Sequence, residues 1–155
     1  MGKLLKNKKL LIVVVVVLLG GLFAAKTFLL KPPPVDEKKL AREPGPTYVI
    51  ATSFVVNLAG DPGSVSHFVK ADLALRLSKF SAGKMPKGGE GATPAPMEEE
   101  PEIRDIINGI LASQTSDELL TARGRDGVKK AIVAAVNKET DVKIVDVYYS
   151  SLAVQ

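Results

Sequence analysis

Residues 69–77 read VKADLALRL, and in this stretch aliphatic side chains alternate with charged or small ones. A period of two residues is typical of a β-strand that has one covered face and one exposed face. The apolar positions are Val69, Ala71, Leu73, Leu75 and Leu77. The stretch therefore predicts a half-exposed strand whose apolar face must pack against other elements.

The residues before this strand predict a second strand antiparallel to it. Tyr48–Leu58 (YVIATSFVVNL) is rich in β-branched and aromatic residues, which favours a strand buried on much of both faces. Residues 59–65 contain the sequence GDPG, which favours a turn because proline fixes φ and glycine adopts positive φ. A short turn between two strands predicts antiparallel pairing.

The residues after 101 predict three helices. Pro101 is expected at or near the first turn of a helix with one apolar stripe, and Thr115–Glu118 (TSDE) matches a capping box for a short helix through Leu120. Thr121 is expected to begin the last helix, whose start is weakened by glycines. The first stripe comprises Ile103, Ile106, Ile107, Ile110 and Leu111, and the last comprises Val128, Ala131, Ile132, Ala135 and Val136.

A closing strand and two polar segments complete the chain after residue 30. Residues 142–154 (VKIVDVYYSSLAV) predict a strand with Val145, Val147 and Tyr149 on one face. Residues 81–101 mix glycines and prolines with few aliphatics, which predicts a flexible insertion that is dispensable for folding. Residues 31–47 are rich in prolines and charges and predict a linker. The fold class is therefore α+β, with helices packed on a small, mainly antiparallel sheet in residues 48–155.

Residues 10–25 (LLIVVVVVLLGGLFAA) predict a transmembrane helix over residues 10–30. Four lysines in the tail at 1–9 place the N-terminus in the cytoplasm and residues 48–155 in the periplasm. A cleaved signal peptide is the alternative, but no pair of small residues suits a cleavage site near residue 25. Lys26 is either a functional intramembrane charge or, in the favoured interpretation, a side chain that reaches to the headgroups.

The composition provides few of the side chains from which a catalytic or metal-binding site could be built. Residues 32–155 carry 15 basic and 17 acidic side chains, which argues against nucleic-acid binding, and the chain has no cysteine and one histidine, His67. We find no catalytic, cofactor-binding or metal-binding constellation and expect neither an enzyme nor a small-molecule substrate. The candidates considered and set aside are Ser64, Ser66 and His67, the glycines 88, 89 and 91, and the acids Asp105, Asp117, Glu118 and Asp126.

Five segments carry a resemblance to a known family. Together with the apolar run they cover roughly half of the chain, and their order and the C-terminal ending VDVYYSSLAVQ are fairly specific. The segments are Phe54–Leu58, Val69–Leu77, Pro101–Leu120, Gly124–Asn137 and Val145–Gln155. This pattern resembles the flagellar basal-body-associated FliL family, although the insertion at 81–101 looks longer than that family carries.

The resemblance implies a non-enzymatic, single-pass protein of the cell inner membrane at the bacterial flagellum basal body. It implies a periplasmic domain similar to the stomatin/prohibitin (SPFH) fold, and a homo-oligomeric ring that associates with the stator proteins MotA and MotB. The implied role is support of torque, swarming and control of flagellar rotation during chemotaxis. A generic stomatin-like membrane scaffold is the alternative, and an exported enzyme or solute-binding module is a third hypothesis.

Overall fold

The computed structural model describes residues 36–60, 65–86 and 95–155, and residues 36–155 form one compact unit. The elements in chain order are α1 (Glu37–Leu40), β1 (Pro44–Val49), β2 (Phe54–Asn57), β3 (Phe68–Ser78), a 3₁₀ turn (Ala82–Lys84), α2 (Glu100–Ala112), α3 (Ser116–Leu120), α4 (Ala122–Glu139) and β4 (Ile144–Val154). This confirms the α+β class with a small antiparallel sheet. The predicted tail at 1–9, the helix at 10–30 and Lys26 lie outside the described residues. Among the residues described, no helix combines the length and apolarity needed to cross a bilayer.

Strand β3 is the centre of the sheet. One of its faces is covered, as the alternation over 69–77 predicts. β4 pairs with it along one edge, from Val69 opposite Val154 to Leu77 opposite Ile144. β1 and β2 follow one another along the other edge, and all three pairings are antiparallel. The four-stranded sheet is therefore only three strands wide.

The region at 48–58 differs from the single strand that the sequence predicts. The structure has two strands separated at residues 50–53, where the Arg104 side chain donates to the carbonyl oxygen of Thr52 at 2.9 Å. β1 also begins at Pro44, inside the predicted linker. Proline lacks a backbone N–H, and this is compatible with an edge strand because a donor on the outward side needs no partner. Gly45 permits the close approach of β1 to the end of β3, since a Cβ atom at residue 45 would lie 2.7 Å from the carbonyl oxygen of Ser78.

Two β-bulges in β4 change which of its residues lie on the covered face, relative to the prediction. The register shifts between Arg76 and Leu77 and again between Asp72 and Leu73, so β4 carries one extra residue at each place. The first bulge removes Val145 from the covered face, and Ile144 takes that position. Val147 and Tyr149 do share the covered face, as predicted.

The three predicted helices are present, with the predicted caps. Thr115 and Glu118 form the capping box, and the Thr121 hydroxyl accepts from the backbone N–H of Gly124 at 3.0 Å. Gly124 is required by packing as well, because a side chain there would collide with the carbonyl group of Glu118. The predicted apolar stripe of α4 is wrong at one position. Ala131 is exposed, and Val133 packs against the core beside Ile132.

The hydrophobic core lies between one face of the sheet and the helices. The odd-numbered residues of β3 are fully or almost fully buried there, together with the stripes of α2 and α4. Their innermost residues are Ile103, Ile107, Leu111, Val128, Ile132 and Val136. We call this side of the sheet the covered face and the opposite side the open face.

Candidate functional site

The residues considered for catalysis are not brought together. Ser66 and His67 are exposed before β3, while the four acids named above are exposed on three different helices. Ser64 and the glycines 88, 89 and 91 lie outside the described residues. Within the part of the chain that the structure describes, no group of His, Cys, Asp and Glu side chains could hold a metal ion.

A buried polar cluster at the N-terminus of α2 is the densest arrangement of functional groups. The Tyr48 hydroxyl donates to Glu100 Oε2 and accepts from the backbone N–H of Met97 at 3.1 Å. Glu100 Oε1 lies 3.8 Å from Arg104 Nη1, and the Arg104 guanidinium covers the Phe54 ring at 4.5 Å. We call Tyr48, Met97, Glu100 and Arg104 the Tyr48 junction.

The junction holds its tyrosine in the neutral form. Burial and then the hydrogen bond to the Glu100 carboxylate raise the pKa of Tyr48 above its ordinary value. A catalytic tyrosine that acts as a base or nucleophile needs the opposite shift. The junction therefore acts as a fixed structural contact between β1 and α2.

Both described ends of the predicted insertion are packed into the fold. Met97 is in the core, Ser81 is fully buried, and the Ser81 hydroxyl accepts from the backbone N–H of Lys143 at 2.7 Å. An ion pair between Lys84 and Glu99 joins the two ends, lowering the pKa of Glu99 and raising that of Lys84. Residues 81–86 and 95–101 are therefore packed against the fold, residues 87–94 lie outside the described residues, and the flexibility of the insertion stays a prediction.

Two open clefts flank the Tyr48 junction. A cleft of about 490 Å³ lies between the end of β1 and the segment Ala95–Pro96, and its walls are mainly apolar. A cleft of about 400 Å³ runs along α2 beside Arg104 and Asp105. Glu100 contributes to both clefts, but it is already hydrogen-bonded to Tyr48.

Tyr149 contains the one buried side-chain polar atom without a hydrogen-bond partner among the described residues. Its ring packs beside the core on β4, and Lys129 Nζ lies 5.6 Å from the ring centroid. Burial raises the pKa of Tyr149 to about 12. The hydroxyl therefore stays protonated near neutral pH.

The sequence reasoning missed the Tyr48 junction. The acidic run Glu98–Glu100 suits the positive end of the helix dipole, and Glu100 lies in the first turn of α2. The pattern contains no signal that joins Glu100 to Tyr48, which is 52 residues away. The only hint is an aromatic residue with a polar tip in a stretch that the sequence predicts to be a strand buried on much of both faces.

A comparison with protein families decides what kind of protein carries this domain. The sequence model of "Flagellar basal body-associated protein FliL" matches residues 47–155, from within β1 to the C-terminal residue. The chain belongs to the FliL family. That family consists of accessory proteins of the flagellum, so a flagellar role and a location at the basal body follow for this chain. A search among curated proteins finds no match.

The FliL match contains nearly all of the structure that positions the candidate site. It includes β2, β3, β4 and the helices α2–α4, together with every residue of the Tyr48 junction. α1 and the first three residues of β1 precede it. In this FliL chain the junction is therefore part of the family domain itself.

Proposed function

We propose that this FliL chain is a non-enzymatic component of the flagellar motor in the cell inner membrane. It associates with the stator proteins MotA and MotB and with the basal body, and it supports torque, swarming and control of rotation during chemotaxis. The observation that carries the proposal is the family match over residues 47–155. The Tyr48 junction supports it, because its polar groups are committed to holding the fold.

The proposed topology follows from the N-terminal sequence. Residues 1–9 form a basic cytoplasmic tail, residues 10–30 span the membrane, and the folded domain lies in the periplasm. The compact unit begins at Asp36, ahead of the predicted boundary at 48. Residues 31–47 stay the proposed linker, and the compact unit overlaps the later part of that range.

The proposed mechanism is association close to the membrane surface. A small domain confined near a bilayer meets its neighbours at a high effective concentration without any additional contact. Copies of the domain then form a homo-oligomer around or beside the stator, as the similarity to the stomatin/prohibitin fold leads us to expect. The acidic balance of residues 32–155 gives no reason to invoke nucleic acid as a partner.

Localisation in motile cells tests the proposed function. A fluorescent protein fused to the N-terminus of the full chain is expected to form foci at flagellar bases, and these foci should disperse when the stator proteins are deleted. The matched control carries residues 1–35 alone, which should spread over the membrane. Dispersed full-length protein, or foci unrelated to flagella, would contradict the motor role and favour a general membrane scaffold.

A further inference from the structure

The helix α1 and the end of β3 form one surface, which we call the α1 end and define as residues 36–43 together with Lys79 and Phe80. The backbone N–H of Lys79 donates to the carbonyl oxygen of Glu43 at 2.8 Å, and that of Phe80 donates to the carbonyl oxygen of Leu40 at 3.3 Å. Lys79 Nζ also lies 2.8 Å from Glu43 Oε2. These contacts fix α1 to the sheet, so a ligand that binds α1 also orients the domain.

Three cations of the α1 end line one open cleft of about 500 Å³. The walls of this cleft comprise Lys38, Lys39, Arg42, Asp36, Glu43 and Pro44. Both acids already have partners, because Asp36 Oδ1 accepts from a backbone N–H of α1 at 3.2 Å and Glu43 is paired with Lys79. Lys38 and Arg42 are exposed and form no ion pair within the part of the chain that the structure describes. The cleft therefore presents cations to an anionic ligand.

The α1 end is the basic pole of an otherwise acidic domain. It carries four basic side chains and three acidic ones, of which Glu37 lies outside the cleft. The remainder of the chain after residue 31 carries 11 basic and 14 acidic side chains. Two further lysines near the end of β3 are bound to protein groups: Lys84 pairs with Glu99 beside Asp141, and Lys143 Nζ donates to two backbone carbonyl oxygens at the end of α4. An anionic surface would therefore attract the α1 end and repel the rest of the domain.

An exposed aromatic side chain accompanies these cations. Phe80 is 42% exposed and directly follows Lys79. Apolar side chains beside lysine and arginine are typical of surfaces that lie in a bilayer interface, where the apolar group enters the acyl boundary and the cations meet the phosphates. A free anion in solution would use the cations but not the ring. The combination therefore favours a lipid surface as the ligand.

The length of chain before α1 limits how far this end can lie from the membrane. Under the proposed topology the span ends at residue 30, and the described part of the domain begins at Asp36. A fully extended connection of this length covers roughly 20 Å. The headgroup layer takes up about 6 Å of that distance. The α1 end therefore begins within about two Debye lengths of the headgroups at physiological salt, even when the connection is fully extended.

We propose that the α1 end binds the phosphate groups of anionic phospholipids in the periplasmic leaflet of the membrane that anchors the chain. This inference rests on the proposed topology and adds a second attachment between the domain and the bilayer. Lys38, Lys39 and Arg42 contact the phosphates, and Phe80 enters the boundary between headgroups and acyl chains. The contact sets the orientation in which the domain meets its neighbours at the flagellar motor.

The tether makes a weak lipid contact sufficient. Each lysine or arginine near an anionic surface strengthens membrane partitioning about fivefold. Three such residues favour an anionic over a neutral surface by roughly a hundredfold, before the opposing charge of Glu37 is counted. The span already holds the domain at the surface, so no higher affinity is needed.

Tryptophan fluorescence of the full chain in lipid nanodiscs tests the proposal. The chain has no tryptophan, so Phe80→Trp introduces a single reporter at the α1 end. The matched control is Phe68→Trp, which is 36% exposed at the other end of β3. The nanodiscs contain phosphatidylethanolamine and phosphatidylglycerol with brominated acyl chains, which quench tryptophan at the interface. Quenching of Phe80→Trp should be at least about threefold stronger than that of Phe68→Trp. Equal quenching of the two would overturn the proposal.

The lipid composition separates charge recognition from proximity to the bilayer. Exchanging phosphatidylglycerol for brominated phosphatidylcholine should lower the quenching of Phe80→Trp by at least about half. Salt at 1 M should do the same in anionic discs, because the Debye length then falls to about 3 Å. Undiminished quenching in the neutral discs would overturn the proposal, since the tether alone would then account for it.

Charge reversal at two exposed positions makes the test specific. In the Phe80→Trp background, Lys38→Glu combined with Arg42→Glu should reduce quenching in anionic discs to the level of the neutral discs. The control, Lys70→Glu combined with Lys130→Glu, makes the same change in net charge at exposed positions of β3 and α4 and should leave quenching unchanged. Lys38→Gln combined with Arg42→Gln adds no charge to α1 and should give an intermediate value. Quenching that persists in both α1 variants, or that falls equally in the control, would overturn the proposal.

The lipid contact and the motor role are tested separately, because the nanodiscs contain no other flagellar protein. Foci at flagellar bases without lipid-dependent quenching would refute the lipid contact alone. Lipid-dependent quenching without such foci would refute the motor role alone.

Discussion

The two faces of β3 are built from alternating residues of one strand, yet their environments differ. On the covered face, Leu73, Leu75 and Leu77 are almost completely removed from solvent beneath the helices. On the open face, Asp72 and Arg76 are partly exposed. The covered face stabilises the fold through apolar burial, roughly 25 cal/mol for each Å². The open face is therefore free to carry a pattern for recognition without a large cost to folding.

Leu75→Ala should produce the largest difference between the faces. Leu75 is fully buried between Tyr48 and Val147, its partners on the two neighbouring strands. The truncation should lower the free energy of unfolding by about 2–5 kcal/mol through lost burial and the resulting cavity. Lys70→Ala, the control on the open face, should change the free energy of unfolding by less than about 0.5 kcal/mol. Denaturant unfolding followed by circular dichroism measures both, and equal losses would contradict the division between the faces.

The predicted insertion offers a second test of what the covered face contains. Met97→Ala should lower the free energy of unfolding by about 2–4 kcal/mol, because Met97 is buried in the core. Replacing residues 87–94 with a short Gly/Ser bridge should leave the melting temperature within a few degrees, since the core contacts come from the flanking segments. A melting temperature that falls further in the bridge variant than in Met97→Ala would show that 87–94 is needed for folding.

Tyr48→Phe tests the polar contact within the covered face. The change removes the donor to Glu100 and the acceptor for the Met97 N–H while keeping the ring. Leaving these buried groups without partners should cost about 1–3 kcal/mol of unfolding free energy. Thr47→Val, its neighbour on the open face, should cost less, because its side chain is only partly buried. Thermal melts of the two variants compare them, and the reverse order would contradict the account.

Tyr149→Phe should have the smallest effect and the opposite sign. It removes a buried hydroxyl that has no partner, so the protein should gain about 1 kcal/mol at neutral pH. The folded-state pKa of about 12 exceeds the ordinary value of 10, so wild-type stability should fall as pH rises from 10 to 12. This fall should be smaller in the variant. Tyr148→Phe, on the open face, should match the wild type, and a loss of stability in Tyr149→Phe at neutral pH would refute the prediction.

Most of the fold could be predicted from local pattern. Alternation identified β3 and its covered residues, and spacing identified the stripe of α2. The caps at Thr115 and Thr121 were also predictable, because a side chain contacts backbone only three residues away. These features depend on short-range geometry, which a sequence records directly.

The features that were missed depend on contacts between distant residues. The bulge that displaces Val145 is a property of pairing with β3, and the break between β1 and β2 is filled by Arg104 from α2. The Tyr48 junction likewise joins residues 52 positions apart. The open face of β3 was visible as alternation, but the position of Val49 and Tyr148 on either side of Ala74 required the register of two strand pairs.

Motility of cells whose only copy carries an open-face substitution tests most directly whether the open face is a recognition surface. The measurement is the diameter of the swimming halo for Val49→Lys, with protein level and melting temperature matched to the wild type, since Val49 is 63% exposed. The account predicts a smaller halo, because the added charge interrupts exposed apolar side chains while the covered face is unchanged. A halo of wild-type size would contradict the claim that the open face serves recognition at the motor.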